Sequence, residues 1–419
     1  MAATSPRAFH VMAKPTGAIC NLDCAYCFFL AKEELYPGSD FRMSESLLGT
    51  YLTQLLRAHP DGEVVVALQG GEPTLMGVEF VRRTSQLARA VAGPQQQVLV
   101  TMQTNGTLLD DAWGAMLAEE GVLVGLSIDG PREWHDAYRV DKGGKPTFDR
   151  VMAGLDVLRR HDVEWNALTT VHAANGDHGR EVYTFLRDDL GARFVQLIPI
   201  VERVGADGVT DRTVGPDQYG RFLVEVFDTA LAHWLGMHQT GMCVHARTCG
   251  SAVALEHNGD LYSCDHFVEP KFKLGNIHEK HMLEMVASPE QRRFGDDKRD
   301  TLTAQCQRCE VKPLCNGGCP KDRFTVSRDG EAGQNYLCGG LELFFKHTLP
   351  LMRTMAQLFQ RGRHVAEVMP LIAAEDAKRD PYQSCPCGSG KSFRFCHGDK
   401  SPRSRSSGLP SAMAAPPNE

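Results

Sequence analysis

The decapeptide Cys20-Asn21-Leu22-Asp23-Cys24-Ala25-Tyr26-Cys27-Phe28-Phe29 places three cysteines on one short stretch, in a C-x3-C-x2-C array. Three thiolates so spaced bind three irons of a [4Fe–4S] cluster and leave the fourth open to a substrate or cofactor, whereas four cysteines close such a site. A zinc site is the competing reading. Zinc takes a fourth Cys or His from a paired knuckle, and none stands near this stretch.

Working outward, Phe9–Lys14 (FHVMAK) just before this loop reads as a strand. Further short runs rich in β-branched residues follow at 63–69, 97–104, 122–128, 163–171 and 193–201. Amphipathic stretches near 44–58, 77–92, 110–120, 148–160 and 178–188 separate them, and another follows at 216–236. Alternating strands and helices at this spacing predict a parallel α/β sheet. Six units fit a partial (β/α)6 barrel; an open doubly wound sheet is the other solution. In a barrel, function sits on the loops after the strands. The cysteine loop follows the first strand, Gln69-Gly70-Gly71-Glu72-Pro73 the second and Thr104-Asn105-Gly106 the third, while Ser127-Ile128-Asp129-Gly130 closes the fourth.

Composition bounds the rest. The chain has 419 residues, 42% of them hydrophobic, enough for a large core and more than one domain. A net charge of −7, with no long basic run before residue 380, argues against a nucleic-acid-binding body. No apolar run is long enough to span a membrane, and the N-terminus lacks the h-region of a signal peptide. Fourteen cysteines in such a chain point to metal or catalysis rather than disulfides, and to a reducing cytoplasm.

CNLDCAYCFF resembles the signature of the radical S-adenosylmethionine (SAM) superfamily. The resemblance favours the partial barrel. It implies that Cys20, Cys24 and Cys27 hold a cluster whose open iron chelates SAM, from which one electron yields a 5′-deoxyadenosyl radical. It also implies that Gly70, Gly71 and Glu72 form the family's GGE motif at the SAM amino group, with Gln69 and Ser127 as further polar SAM contacts. Leu197 and Ile198 are placed either on adenine or in the core. Asp136 and Arg139 (HDAYR) either anchor ligand or form an ion pair.

Eight more cysteines follow: Cys243, Cys249 and Cys264, then Cys306, Cys309, Cys315 and Cys319, then Cys338. Two zinc sites would use them. The whole pattern, with HNGDLYSCD and NGGCPKDR, resembles the SPASM domain of radical SAM peptide maturases. That resemblance implies two auxiliary [4Fe–4S] clusters, one on Cys243, Cys249, Cys264 and Cys319 and one on Cys306, Cys309, Cys315 and Cys338, so three clusters in all. Closed clusters suit electron transfer.

Across roughly 8–345 the words LQGGEPTL, QTNGTLL, SIDGP, HDAYR, QLIPIVE and CDHFV resemble the anaerobic sulfatase-maturating enzymes, which oxidise a Cys or Ser of a sulfatase to Cα-formylglycine. The resemblance makes Asp265 the base that takes the thiol or hydroxyl proton; on its own, an aspartate there reads as a turn residue. His266 reads as packing or solvated. Phe29 stands where relatives often carry tyrosine, so no catalytic role is assigned to it. A sulfatase-type protein or peptide is the implied substrate, with an electron donor such as flavodoxin or ferredoxin. The alternative is another SPASM maturase that crosslinks a ribosomal peptide. Few residues precede the first strand, which leaves little room for the peptide-recognition segment many crosslinkers carry. A non-catalytic metal-binding adaptor is the third reading.

Near the C-terminus, Cys385, Cys387, Cys396 and His397 form C-x-C-x8-C-H, a four-ligand zinc pattern. It resembles the SEC-C motif, whose folding energy would come from Zn2+, and a docking partner is the expected use. The predicted organisation is a radical SAM barrel over 1–240, a SPASM domain over 241–345, a helical segment over 346–375, a linker over 376–383, the zinc motif over 384–398 and a disordered tail over 399–419.

Overall fold

The computed structural model describes residues 9–206, 208–231, 243–376, 378–384 and 392–395. Residues 1–229 with 238–345 make one compact unit, and 230–237 with 346–419 a second.

Six parallel strands carry the first unit: β1 (His10–Ala13), β2 (Gly62–Leu68), β3 (Gln96–Thr104), β4 (Leu123–Ser127), β5 (Trp165–Val171) and β6 (Val195–Pro199). They lie side by side in chain order, each pairing in parallel with the next. Crossovers between parallel strands are right-handed, so an unreversed order winds every helix onto one face. A doubly wound sheet would reverse its order midway. This is therefore the partial barrel, not the alternative.

The helices are α1 (Glu45–Ala58), α2 (Val78–Val91), α3 (Asp111–Glu120), α4 (Arg132–Tyr138), α5 (Phe148–Arg160), α6 (Gly179–Thr184) and α7 (Pro216–Leu231). Only α4 was not anticipated; residues 232–236 of the last expected helix lie outside the described residues. Local chemistry sets the boundaries. Ser44 caps α1 by accepting from the Leu47 N–H, and Asp110 caps α3 through the Trp113 N–H. The helix α3 ends on Gly121, whose φ of 60° suits glycine. Along α1, Leu48, Tyr51, Leu52 and Leu55 recur at three- and four-residue spacing and are buried on the sheet side.

Burial along the strands alternates with period two. Val64, Val66 and Leu68 of β2 are buried, while Val65 and Ala67 are half-buried. In β3, Val100, Met102 and Thr104 are buried between half-buried Thr101 and Gln103. The buried series packs into the helix-side cores. The other face stays partly accessible, and it leads to the loops at the strand ends.

The sheet does not stop near residue 240. Ala252–Leu255 pairs in parallel with the free edge of β1, and Asp260–Tyr262 and Lys273–Asn276 extend it antiparallel to nine strands. An open strand edge exposes unpaired backbone groups, and these strands cover that of β1. Within HNGDLYSCD, Gly259 makes the turn between Ala252–Leu255 and Asp260–Tyr262, with φ of 91°.

Candidate active site

The loops after β1, β2 and β3 are tied together by backbone contacts that require glycine. Gly71 donates its N–H to the Gly17 carbonyl at 2.8 Å, and Glu72 donates to that of Ile19 at 2.9 Å. A Cβ on Gly71 would stand 1.9 Å from the Ile19 oxygen, so any side chain there pushes the GGE loop off the cysteine loop. Glu72 is buried. Its Oε1 accepts from the Thr74 N–H and from the hydroxyls of Thr74 and Thr104, and its Oε2 accepts from the Asn105 N–H. Burial raises its pKa against those hydrogen bonds. The Glu72 carboxylate thus clamps the third loop to the second. Asn105 continues the chain of contacts, donating to Asn21 Oδ1 at 2.9 Å and towards Cys20 Sγ at 3.7 Å. Gln69 is half-buried beside these glycines, and Ser127 is buried at the end of β4. Leu197 packs against the second core cluster.

Cys20 and Cys27 are half-buried and Cys24 is buried. Their thiols feel one another, and burial pushes Cys20 up to about 12 and Cys24 up to about 11. Left alone they would stay neutral; bound metal is what keeps such thiols ionised. Asp129 lies behind the loop and is fully buried. It accepts from Tyr26 Oη, from the Thr170 N–H at 2.9 Å and from Arg139 Nε at 2.9 Å. Burial would raise its pKa, but the Arg139 guanidinium and the neighbouring imidazoles hold it well below the usual carboxylate range. Arg139 also lowers Cys24 and Cys27. Asp136, by contrast, accepts the N–H groups of Thr147 and Phe148 and so caps α5. The ion pair is Arg139 with Asp129. Removing one partner of a buried pair strands a charge, at a cost of about 3–5 kcal/mol. Arg139→Met is expected to lower stability by that order, read as a fall in the urea midpoint at unchanged slope.

Opposite the cysteine loop stands Asp265, in a short 3-10 turn directly after Cys264. Its Oδ1 meets Lys14 Nζ at 2.7 Å, an ion contact short of a well-directed hydrogen bond. Glu256 Oε1 lies 3.3 Å from the same ammonium. Lys14 follows β1, is 1% exposed, and lies under the Phe29 ring at 4.7 Å. Burial alone would lower its pKa; Asp265 and Glu256 more than compensate and raise it. Asp265 remains 14% exposed, so its carboxylate is reachable. His266 packs, its ring 5.3 Å from that of Phe28, and burial pushes it down to about 4.

The eight later cysteines are free thiols and fall into two neighbourhoods. Cys264 feels Cys319 and Cys243, and Cys319 feels Cys249. Cys315 feels Cys338, Cys306 and Cys309. In the second group Gln334 Oε1 accepts from Cys306 Sγ at 3.6 Å, and Gln305 Nε2 donates to Cys338 Sγ at 3.7 Å. Among the described residues no three His, Cys, Asp or Glu side chains are arranged to hold a single metal ion. What fits a cluster is the donor set: unpaired thiols, most of them half-buried, grouped by three, four and four. Cys385, Cys387, Cys396 and His397 lie outside the described residues.

Residues 15–186 match the radical SAM superfamily, and residues 243–310 match SPASM, an iron-sulfur cluster-binding domain. Over 395 residues the chain is 38% identical to the serine-type anaerobic sulfatase-maturating enzyme of Bacteroides thetaiotaomicron, across 87% of this chain and 95% of that relative. The chain belongs to the anaerobic sulfatase-maturating enzyme family. It is also 29% identical to the cysteine-type anaerobic sulfatase-maturating enzyme of Clostridium perfringens, across 83% of this chain and 98% of that one. The solved structure of native anSMEcpe with bound AdoMet and Cp18Cys peptide matches with a TM-score of 0.72 at 28% identity, over 84% of this chain and 100% of that one.

In this sulfatase-maturase family member, three groups at the site carry no distinctive sequence signal. Lys14 reads as a strand end. Asn105 reads only as part of a turn. His172 is fully buried, stacks on Tyr26 with ring centroids 6.0 Å apart, and among the described residues has no hydrogen-bond partner at either ring nitrogen, with Asp129 Oδ2 at 3.8 Å from Nε2. No local pattern marks Lys14 or His172, because their surroundings come from distant segments.

Proposed function

We propose that this enzyme oxidises a Ser or Cys in a sulfatase active-site sequence to Cα-formylglycine (3-oxoalanine), with SAM consumed to methionine and 5′-deoxyadenosine. Asp265 carries the reading: a reachable carboxylate, ion-paired to a buried lysine, at the strand ends that bear the cysteine and GGE loops. Cys20, Cys24 and Cys27 would hold the first cluster. The backbone of Gln69, Gly70 and Gly71 and the side chain of Ser127 would face SAM, with Glu72 fastening their loop. Cys243, Cys249, Cys264 and Cys319 would hold one auxiliary cluster, and Cys306, Cys309, Cys315 and Cys338 the other.

When bound, these groups supply a radical that removes a Cβ hydrogen and a sink for the second electron. Asp265 accepts the hydroxyl or thiol proton, which favours departure of that electron. Crosslinking by a related maturase has no need of a base at this position. A flavodoxin- or ferredoxin-type donor would supply reducing electrons in a reducing cytoplasm. The free described cysteines accord with that setting. The cysteine-histidine tail would bind Zn2+ and dock a partner; zinc content measured with and without residues 384–419 tests it.

The deciding experiment is anaerobic reconstitution with iron and sulfide, then incubation with SAM, reductant and paired C-x-P-x-R and S-x-P-x-R peptides. Aldehyde formation, read by peptide mass, is the expected result. The serine-type name of the 38% identical relative makes the serine peptide the first to try. SAM cleavage with both peptides unchanged would transfer the assignment to the crosslinking maturases.

A further inference from the structure

Two cations, one buried and one half-buried, sit among the eight auxiliary thiols, and neither is paired with a carboxylate among the described residues. Lys298, on the helix Pro289–Asp300, is 1% exposed. Its ammonium donates to the carbonyls of Cys243 at 2.9 Å and Val244 at 2.8 Å. The thiols whose charge it feels are Cys249, Cys319 and Cys243. Arg323 is half-buried at the start of the hairpin strand Arg323–Val326. It donates from Nε to the Gly317 carbonyl at 3.1 Å, from Nη1 to that of Lys298 at 2.8 Å and from Nη2 to that of Asn316 at 3.1 Å. Asn316 and Gly317 lie between Cys315, in one thiol group, and Cys319, in the other. The charges Arg323 feels come from both groups: Cys306, Cys249, Cys319 and Cys315.

Buried lysines are almost always paired, because an uncompensated charge is costly to desolvate. Every donor contact described above goes to a backbone carbonyl, which solvates a cation but does not neutralise it. The negative charge in reach is that of the thiols, if they are ionised on clusters. The reduction potential of such a cluster follows its net charge, hydrogen bonding and burial. A fixed cation favours the more negative, reduced state.

We propose that Lys298 and Arg323 are the built-in counter-charges of the auxiliary clusters: Lys298 serves the site on Cys243, Cys249, Cys264 and Cys319, and Arg323 bridges both sites. This rests on the cluster reading given above. The two residues raise the potentials of the auxiliary sites, so that these can accept an electron from the substrate side. Arg323, which reaches both sites and grips the backbone between them, sets them as a pair. They are positioning residues that do not touch substrate.

The test uses the full chain with Cys20, Cys24 and Cys27 replaced by alanine, so that only auxiliary signals remain. Iron is counted, and each auxiliary signal is titrated by EPR against potential. In Lys298→Met, the cluster on Cys243, Cys249, Cys264 and Cys319 should become at least about tenfold harder to reduce, equivalent to about 59 mV for one electron, with the other changing less. In Arg323→Gln both should move the same way. Lys298→Arg and Arg323→Lys keep the charge and should stay near the parent midpoints. Unchanged midpoints in the neutral variants overturn the proposal. If the neutral variants lose iron while the charge-preserving ones keep it, the counter-charge role stands. If both kinds lose iron, the residues are carbonyl tethers and the proposal fails. A parent that takes up no iron defeats the cluster reading itself, and with it this proposal.

Discussion

Asp265→Asn is expected to cut formylglycine formation by about 10²–10⁴-fold, the usual contribution of a positioned base, and to leave 5′-deoxyadenosine production running. The amide has the same shape but no acceptor of comparable basicity. Structural damage would be the competing explanation for lost turnover, and the charge balance argues against it. With Asp265 neutral, Lys14 still has Glu256 at 3.3 Å, so no ion is stranded and the urea midpoint should stay close to that of the parent. The first cluster loop is on another segment of the chain, so SAM cleavage reports on it separately. The readout is one assay with two products: aldehyde by peptide mass and 5′-deoxyadenosine by chromatography. Aldehyde yields near the parent level would remove Asp265 from the chemistry and leave it as the lysine's partner only.

What was legible in the sequence was what local pattern controls. The β-branched runs at 63–69, 97–104 and 163–171 became strands within two residues of their expected limits, because each needs only a buried sheet position to be satisfied. The glycine loop was legible too, since the contact of Gly71 with the Ile19 carbonyl leaves no room for a Cβ. Non-local pairings were not. Asp136 and Arg139 stand three residues apart, the spacing of a helical ion pair, and that pairing was one of two readings. Instead Asp136 is consumed as a cap for α5, and Arg139 reaches back to Asp129, where a fully buried carboxylate needs it more. The extension of the sheet past residue 240 is of the same kind, since the strand that covers the edge of β1 comes from a segment some 240 residues later. Lys14 is the sharpest case. A single cation after the apolar run Val11–Ala13 has the pattern of a strand emerging into solvent, and Asp265 and Glu256, supplied from the far side of the sequence, make its burial possible.

That dependence makes Lys14→Met the second large expected effect. The substitution fills similar volume but leaves Asp265 and Glu256 facing the vacated charge; among the described residues His257 Nδ1 lies near Glu256, at 3.6 Å. Breaking a buried ion pair from one side costs about 3–5 kcal/mol, because the remaining charge is not solvated. Here two like charges are left, so the urea midpoint of Lys14→Met should fall by that order. The double variant Lys14→Met, Asp265→Asn removes one of the two stranded carboxylates and should recover part of the loss. It should be more stable than Lys14→Met although it carries an additional substitution, a non-additivity of the sort that residues in contact show. Aldehyde formation should fail in both, while Asp265→Asn alone fails without loss of stability. If Lys14→Met unfolds at the parent's midpoint, the ammonium is not the counter-ion that holds this carboxylate in place. The position of Asp265 would then have to come from the Cys264 turn alone. If the midpoint falls and the double variant recovers part of it, the site has a division of labour: one carboxylate presented to the substrate, a second beside it, and one buried cation that pairs with both.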